Sequence, residues 1–289
     1  MSEKMEFGNK TYVMGIINMS PESFSGDGFD SHDSAIKMAT KYVEQGADII
    51  DIGGQSTRPL YSATVESTVS GETQPANSYE LISEEVEIER VVPVIEQISR
   101  LGVPVSIDTF KPNVAKAAVL AGATIINDVT GLKFDPKMAS IAAKYASYII
   151  LMHNQSTIEY TDLIEEIAQS LEESVLKASL AGVPKDKIIV DPGFGFGKTV
   201  THNLDLLNNL DILKSKLPYP MLLGTSRKST IGKVLNLPED QRVEGTAATM
   251  AIGISKGVDI IRVHDVEYMV RIAKMSDAII RLSTRNQII

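Results

Sequence analysis

Cysteine is absent from this 289-residue chain. That excludes disulfides, thiol nucleophiles and thiolate metal sites, and it accords with a cytoplasmic location. No apolar run approaches the roughly 18–20 residues needed to span a bilayer, so no membrane partner is expected. The opening Met1-Ser-Glu-Lys-Met-Glu is polar and acidic, so no secretory leader is expected either. Without one, the Asn-x-Ser/Thr triplets at Asn9, Asn18 and Asn154 are read as chance. A basic excess is also missing. The net charge of −9 speaks against nucleic acid, although a few converging cations still allow a small anionic substrate. Histidine is scarce: His32, His153, His202 and His264 are scattered without metal-ligand spacing.

What is present is a rhythm. Short Ile- and Val-rich runs fall at about 11–18, 48–53, 104–109, 124–129, 147–153, 188–192, 220–225 and 259–264. Their nearly continuous hydrophobicity suits parallel strands buried on both faces. Amphipathic helical patterns alternate with them, at about 31–45, 81–101, 112–121, 136–145, 161–182, 202–214, 240–256 and 266–283. Gly46, Gly102, Gly122, Gly182 and Gly257 each follow a helix, where a positive φ is wanted. Eight strand–helix units in series predict a single (β/α)8 TIM barrel over residues 1–289, with its active site at the C-terminal ends of the strands. An open doubly wound sheet is the alternative. Two long connections, about 19–30 and 55–80, interrupt the rhythm as flexible, lid-like loops on that rim; for 62–77 a disordered insertion is the competing reading.

Every strand run ends in a polar group: Asn18; Asp51, then Gln55 to Arg58; Asp108; Asn127 and Asp128; Met152-His153; Asp191; Ser226 to Ser229; Arg262 and His264. Any one of these has an ordinary explanation as a turn former or helix cap. Nothing structural requires eight of them on one rim. Asp108, Asn127 and Asp191 match a flat heterocycle rich in N–H donors, because buried carboxylates need partners. Asn18, Arg262 and His264, from the neighbouring first and eighth strands, make an anion pocket, each charge-assisted hydrogen bond adding about 1.5–3 kcal/mol. The last loops of this fold are also where phosphates commonly bind. Gly193-Phe-Gly-Phe-Gly-Lys-Thr199 imitates a phosphate loop, but the first glycine of that motif would fall at Pro192, so it is not one.

These residues lie in segments that resemble the dihydropteroate synthase family of pterin-binding enzymes along nearly the whole chain. The segments are Gly15–Ser25, Asp51–Pro59, Ser106–Thr109, Ile126–Gly131, Asp191–Gly197, Ser226–Ser229 and Arg262–Asp265. The resemblance implies the same barrel and a transferase of folate biosynthesis. That enzyme condenses 6-hydroxymethyl-7,8-dihydropterin diphosphate with 4-aminobenzoate, giving 7,8-dihydropteroate and pyrophosphate, and it is the target of sulfonamides. Carried over by position, Asp108, Asn127, Asp191 and Lys228 hold the pterin, with Met152 packed near it. Asn18, Arg262 and His264 hold the diphosphate, with Mg²⁺ bridging it at Asn18. Thr57, Arg58 and Ser229 serve the aminobenzoate side, walled by Phe24, Pro59 and Phe196. Asp108, Asp191, Lys228, Arg262 and His264 form the implied catalytic set.

Two departures stand out. The first loop reads Ser23-Phe-Ser-Gly-Asp-Gly28, which shifts the family's aspartate by one place to Asp27, and the second carries an insertion after Pro59. The resemblance also implies a homodimer through late helices, with Ile252, Ile254 and Met269 as candidates, although core burial explains these three as well. Two rival readings use the same scaffold: a methyltetrahydrofolate–corrinoid methyltransferase, and a non-catalytic pterin-binding homologue. The first has no need of Lys228-Ser229 or the Arg262/His264 pocket. The second is expected to lose loop or phosphate residues that are present here.

Overall fold

The structure is a computed structural model and describes residues 5–19, 31–55 and 81–281. Eight strands run in parallel: β1 (Tyr12–Asn18), β2 (Ile49–Gly53), β3 (Val105–Asp108), β4 (Ile125–Asp128), β5 (Tyr148–Met152), β6 (Ile188–Asp191), β7 (Leu222–Leu223) and β8 (Ile260–Val263). They hydrogen-bond in the order β6-β5-β4-β3-β2-β1-β8-β7. A parallel bridge between Val190 and Met221 joins the two ends, with Val190 N–H donating to the Pro220 carbonyl at 2.9 Å. This closes the barrel and removes the open-sheet alternative.

Helices fill the crossovers. They are α1 (His32–Glu44), α2 (Glu84–Ile98), α3 (Pro112–Leu120), α4 (Lys137–Tyr145), α5 (Leu163–Leu180), α6 (Val200–Asn208), α7 (Leu210–Lys216), α8 (Ser229–Leu235), α9 (Val243–Ser255) and α10 (Val266–Ile280). Their starts follow local chemistry: Ser31, Ser83, Asp162 and Thr199 each cap a helix by accepting a backbone N–H. Gly46, Gly102, Gly122, Gly182 and Gly257 all have the expected positive φ, between 83° and 119°. Two boundaries differ from expectation. The pattern at 202–214 is broken at Asn209 into α6 and α7, and α8 occupies a stretch read as loop.

Strand parity divides the core in two. Ile50, Ile52, Ile107, Ile126, Ile149, Leu151, Val190, Leu223 and Ile261 belong to the layer beneath the helices. Met14, Ile49, Ile125, Ile150, Ile189, Leu222 and Ile260 fill the barrel interior, closed at the N-terminal end by Met5, Phe7, Tyr12 and Tyr148. Side chains alternate along a strand. The next residues of interior parity toward the C-terminal ends are therefore Asn18, Asp51, Asp108, Asn127, Met152, Asp191 and Arg262. The same alternation that builds the core thus aims seven polar or soft side chains into one mouth. Among the described residues, no helix is long and apolar enough to cross a membrane.

Candidate active site

Arg262 is the hub of the mouth. Its Nε donates to Asp51 Oδ2 at 2.6 Å, and its Nη2 to Asp108 Oδ2 at 2.6 Å. Burial alone would lower the guanidinium's pKa; Asp51 and then Asp108 outweigh it and hold it above its usual value. Asp51 is fully buried, and Asp51 Oδ1 and Asp108 Oδ1 have no hydrogen-bond partner among the described residues. Burial pushes the Asp108 carboxyl up to about 7, against the pull of Arg262 and with the help of Asp51. Two carboxylates thus share one cation, leaving acceptor capacity in a desolvated place. A ligand with N–H donors removes that cost.

Asn18 and Asp108 border the same backbone. A Cβ on Gly53 would meet Asp108 Cβ at 3.6 Å and Asn18 Oδ1 at 3.7 Å. Asn127 is buried and pairs in register with Asp108, as Met152 does with Asp191. Asp191 Oδ1 accepts from Gly193 N–H at 2.7 Å. Burial raises its pKa, opposed first by Lys228. Lys228 Nζ donates to the Phe194 carbonyl and lies 4.6 Å from the centre of the Phe196 ring. Gly195 is required there, since a Cβ would touch Lys228 Cδ at 3.0 Å and the glycine has φ +83°.

His264 lies on the β7–β8 side. Ser226 Oγ accepts its backbone N–H at 3.2 Å and sits 2.9 Å from its Nδ1. A hydroxyl proton given to Nδ1 would place the ring proton on Nε2, as a donor suited to an anion. Arg227, at φ +56°, is engaged bidentately by Asp265, at 3.0 and 2.7 Å. It braces the two strand exits. Ser229 opens α8 and is exposed.

The structure therefore gathers Asn18, Asp108, Asn127, Met152, Asp191, Phe196, Lys228, Arg262 and His264 around the rim. Phe24, Thr57, Arg58 and Pro59, the shifted Asp27 and both long loops lie outside the described residues. Sequence reasoning placed Asp51 at a strand exit but left it out of the site. Its complete burial on an inward strand position makes it the fixed counter-ion of Arg262. Sequence reasoning also missed Lys198, buried behind β6 with its Nζ 2.9 Å from His153 Nδ1.

Buried carboxylates, a shared guanidinium and a histidine on the C-terminal rim of a parallel barrel define a (β/α)8 enzyme for a polar, partly anionic ligand. The chain belongs to the pterin binding enzyme family, whose model matches residues 14–264. It is 50% identical over 278 residues to the dihydropteroate synthase of Bacillus subtilis, covering 96% of this chain and 91% of that protein. A crystal structure of the Clostridium difficile dihydropteroate synthase in the presence of pteroic acid superposes with a TM-score of 0.85 at 45% identity, covering 96% of this chain and 99% of that one. The Xanthomonas albilineans dihydropteroate synthase with 4-aminobenzoic acid gives 0.83 at 34% identity, covering 95% and 94%.

Proposed function

We infer that this chain is a transferase with dihydropteroate synthase activity, joining 6-hydroxymethyl-7,8-dihydropterin diphosphate to 4-aminobenzoate with release of pyrophosphate. The observation that carries the reading is the Asp51–Arg262–Asp108 cluster beside Asp191 and Lys228. It offers unsatisfied carboxylate oxygens and cations within one mouth, complementary to the two ends of that substrate.

We assign the pterin ring to Asp108, Asn127 and Asp191, with Lys228 at its edge and Met152 beside it. The diphosphate goes to Arg262, His264 Nε2 and Asn18. Bond cleavage between the methylene carbon and the diphosphate oxygen leaves positive charge delocalised into the dihydropterin. Asp108 and Asp191, held close in a desolvated setting, favour that charge more strongly than water does. Arg262 and His264 favour the departing anion. The arylamine nitrogen then forms the new bond to carbon and loses its proton. No strong base is needed for this step, since the departing diphosphate or water can take the proton.

Mg²⁺ fits this donor set as an ion held mainly by the diphosphate, with little ligation from the protein. The described residues contain no cluster of three or more His, Cys, Asp or Glu for it. A diphosphate-bound Mg²⁺ needs only one or two protein oxygens, and the Asn18 carboxamide, whose Oδ1 lies beside Gly53 and Asp108, would supply one. When bound, the ion neutralises charge on the leaving group. Thr57, Arg58 and Ser229, with Phe24, Pro59 and Phe196 as walls, are assigned to the aminobenzoate.

The same reading carries a homodimer through α9 and α10. Ile252, Tyr268, Met275 and Ile279 expose apolar side chains on these helices, whereas Ile254 and Met269, considered for that surface from sequence, are fully buried in the chain's own core.

The test is pyrophosphate release from the dihydropterin diphosphate and Mg²⁺, with and without 4-aminobenzoate. Release coupled to dihydropteroate formation is expected. Tight pterin binding without turnover would reverse the reading in favour of the non-catalytic homologue.

A further inference from the structure

The glycine run that imitates a phosphate loop ends in a lysine with no part in the chemistry above. Lys198 is 5% exposed, and its Nζ has three acceptors: His153 Nδ1 at 2.9 Å, the Gly193 carbonyl at 3.0 Å and the Phe196 carbonyl at 3.1 Å. An ammonium has three protons, and this geometry directs one to each acceptor. His153 reaches the cluster from the exit of β5; the two carbonyls lie in the loop that follows β6.

That loop orients two of the groups assigned to the pterin. Gly193 N–H donates to Asp191, and the Phe194 carbonyl accepts from Lys228. The backbone at Gly193 leaves no room to move: a Cβ there would lie 1.8 Å from the His153 carbonyl oxygen, and φ is +69°. The loop is therefore pressed against β5 at Gly193, and the carbonyl of this buried residue needs a partner. Lys198 bonds the Gly193–Phe194 and Phe196–Gly197 peptides, while the adjoining Pro192–Gly193 and Phe194–Gly195 peptides of the same run bond Asp191 and Lys228.

We propose that Lys198, with neutral His153 as its acceptor, is a positioning residue that fixes the Gly193–Gly197 peptides so that Asp191 and Lys228 meet the pterin ring. The inference rests on the pterin reading of the site. Burial, with Lys198 next, drives the His153 pKa down to about 2, in keeping with a ring that only accepts at Nδ1. Burial also pushes the Lys198 pKa well below the usual lysine value, and Asp191 opposes this.

Two measurements decide it. Binding of 6-hydroxymethylpterin and of inorganic pyrophosphate is measured by calorimetry for the full chain and for Lys198→Met. The lost carbonyl contacts predict pterin binding weakened by about tenfold or more. Pyrophosphate binding, which reads the Arg262/His264 side, should change less than about twofold. Unchanged pterin binding, or equal loss of both ligands, overturns the proposal. If the unaltered chain itself fails to bind pterin, the fault lies with the functional reading and not with Lys198 alone. Should Lys198→Met not fold, the ring nitrogens of His153 in the unaltered protein decide by nitrogen NMR near neutral pH. A bare Nδ1 with the proton on Nε2 is expected; a proton on Nδ1 overturns the clamp.

Discussion

Two buried ionic clusters of the barrel are built in opposite ways. On the β2–β3–β8 side, one guanidinium serves two carboxylates, and an oxygen of each is left over. On the β5–β6 side, one ammonium meets three neutral acceptors, and its protons are fully used. The first is a mouth with unused capacity; the second is a saturated strut. Burial of charge is thus not one signal but two, and the count of donors against acceptors separates a binding group from a supporting one.

Breaking the first cluster should have the largest effect. Arg262→Ala strands two buried carboxylates, a loss of about 3–5 kcal/mol where one partner of a buried pair is removed. Urea unfolding measures it. The same variant should lose affinity for the dihydropterin diphosphate far more than for the bare pterin; equal losses would sink the anion-pocket assignment. Asp191→Asn comes next, turning an acceptor into a donor toward the ring. Pterin affinity should fall by roughly a hundredfold, and calorimetry showing unchanged affinity would refute the assignment.

Asp108 sharpens the contrast through pH. Its carboxyl titrates near 3.8 when unfolded and is raised to about 7 in the fold. Below 3.8 both states hold the proton, and the group's contribution to stability is complete. Above it the unfolded chain releases the proton first, so the contribution declines until about pH 7. The unfolding free energy of the unaltered chain minus that of Asp108→Asn should therefore fall across this window. A flat difference would mean that the carboxylate is already ionised beside Arg262 at acid pH. The smallest effect is expected at the opposite end of the barrel. Lys10→Met removes an exposed pair with Asp48 and should shift stability by less than about 1 kcal/mol.

The barrel was legible because its signals are local. Continuous Ile and Val runs, and a glycine after five of the helices, need no knowledge of distant contacts. The polar exits were legible too, since strand parity carries Asn18, Asp108, Asn127, Asp191 and Arg262 inward together. What escaped depends on closure. Arg262 meets Asp51 across 211 positions of sequence, and only the β2–β1–β8 order brings them together. Helix α8 was hidden by Gly232, a poor helix former whose missing Cβ makes room for the guanidinium of Arg242; a Cβ would lie 2.3 Å from it. Ile252, Ile254 and Met269 read alike in sequence, and only packing separates the exposed residue from the two buried ones.

The barrel's thinnest join is the single bridge between β6 and the two-residue β7. Asp191 stands on one side of that seam and Lys228 on the other, with the Lys228–Phe194 contact laid across it. On the assignment proposed above, a pterin held by both residues would act as a clasp, adding its binding energy where the hoop has least of its own. Occupancy of the site and integrity of the hoop would then be one equilibrium seen from two ends: whatever loosened the clasp would also slacken the ring, and a molecule shaped to hold both residues would tighten the whole barrel.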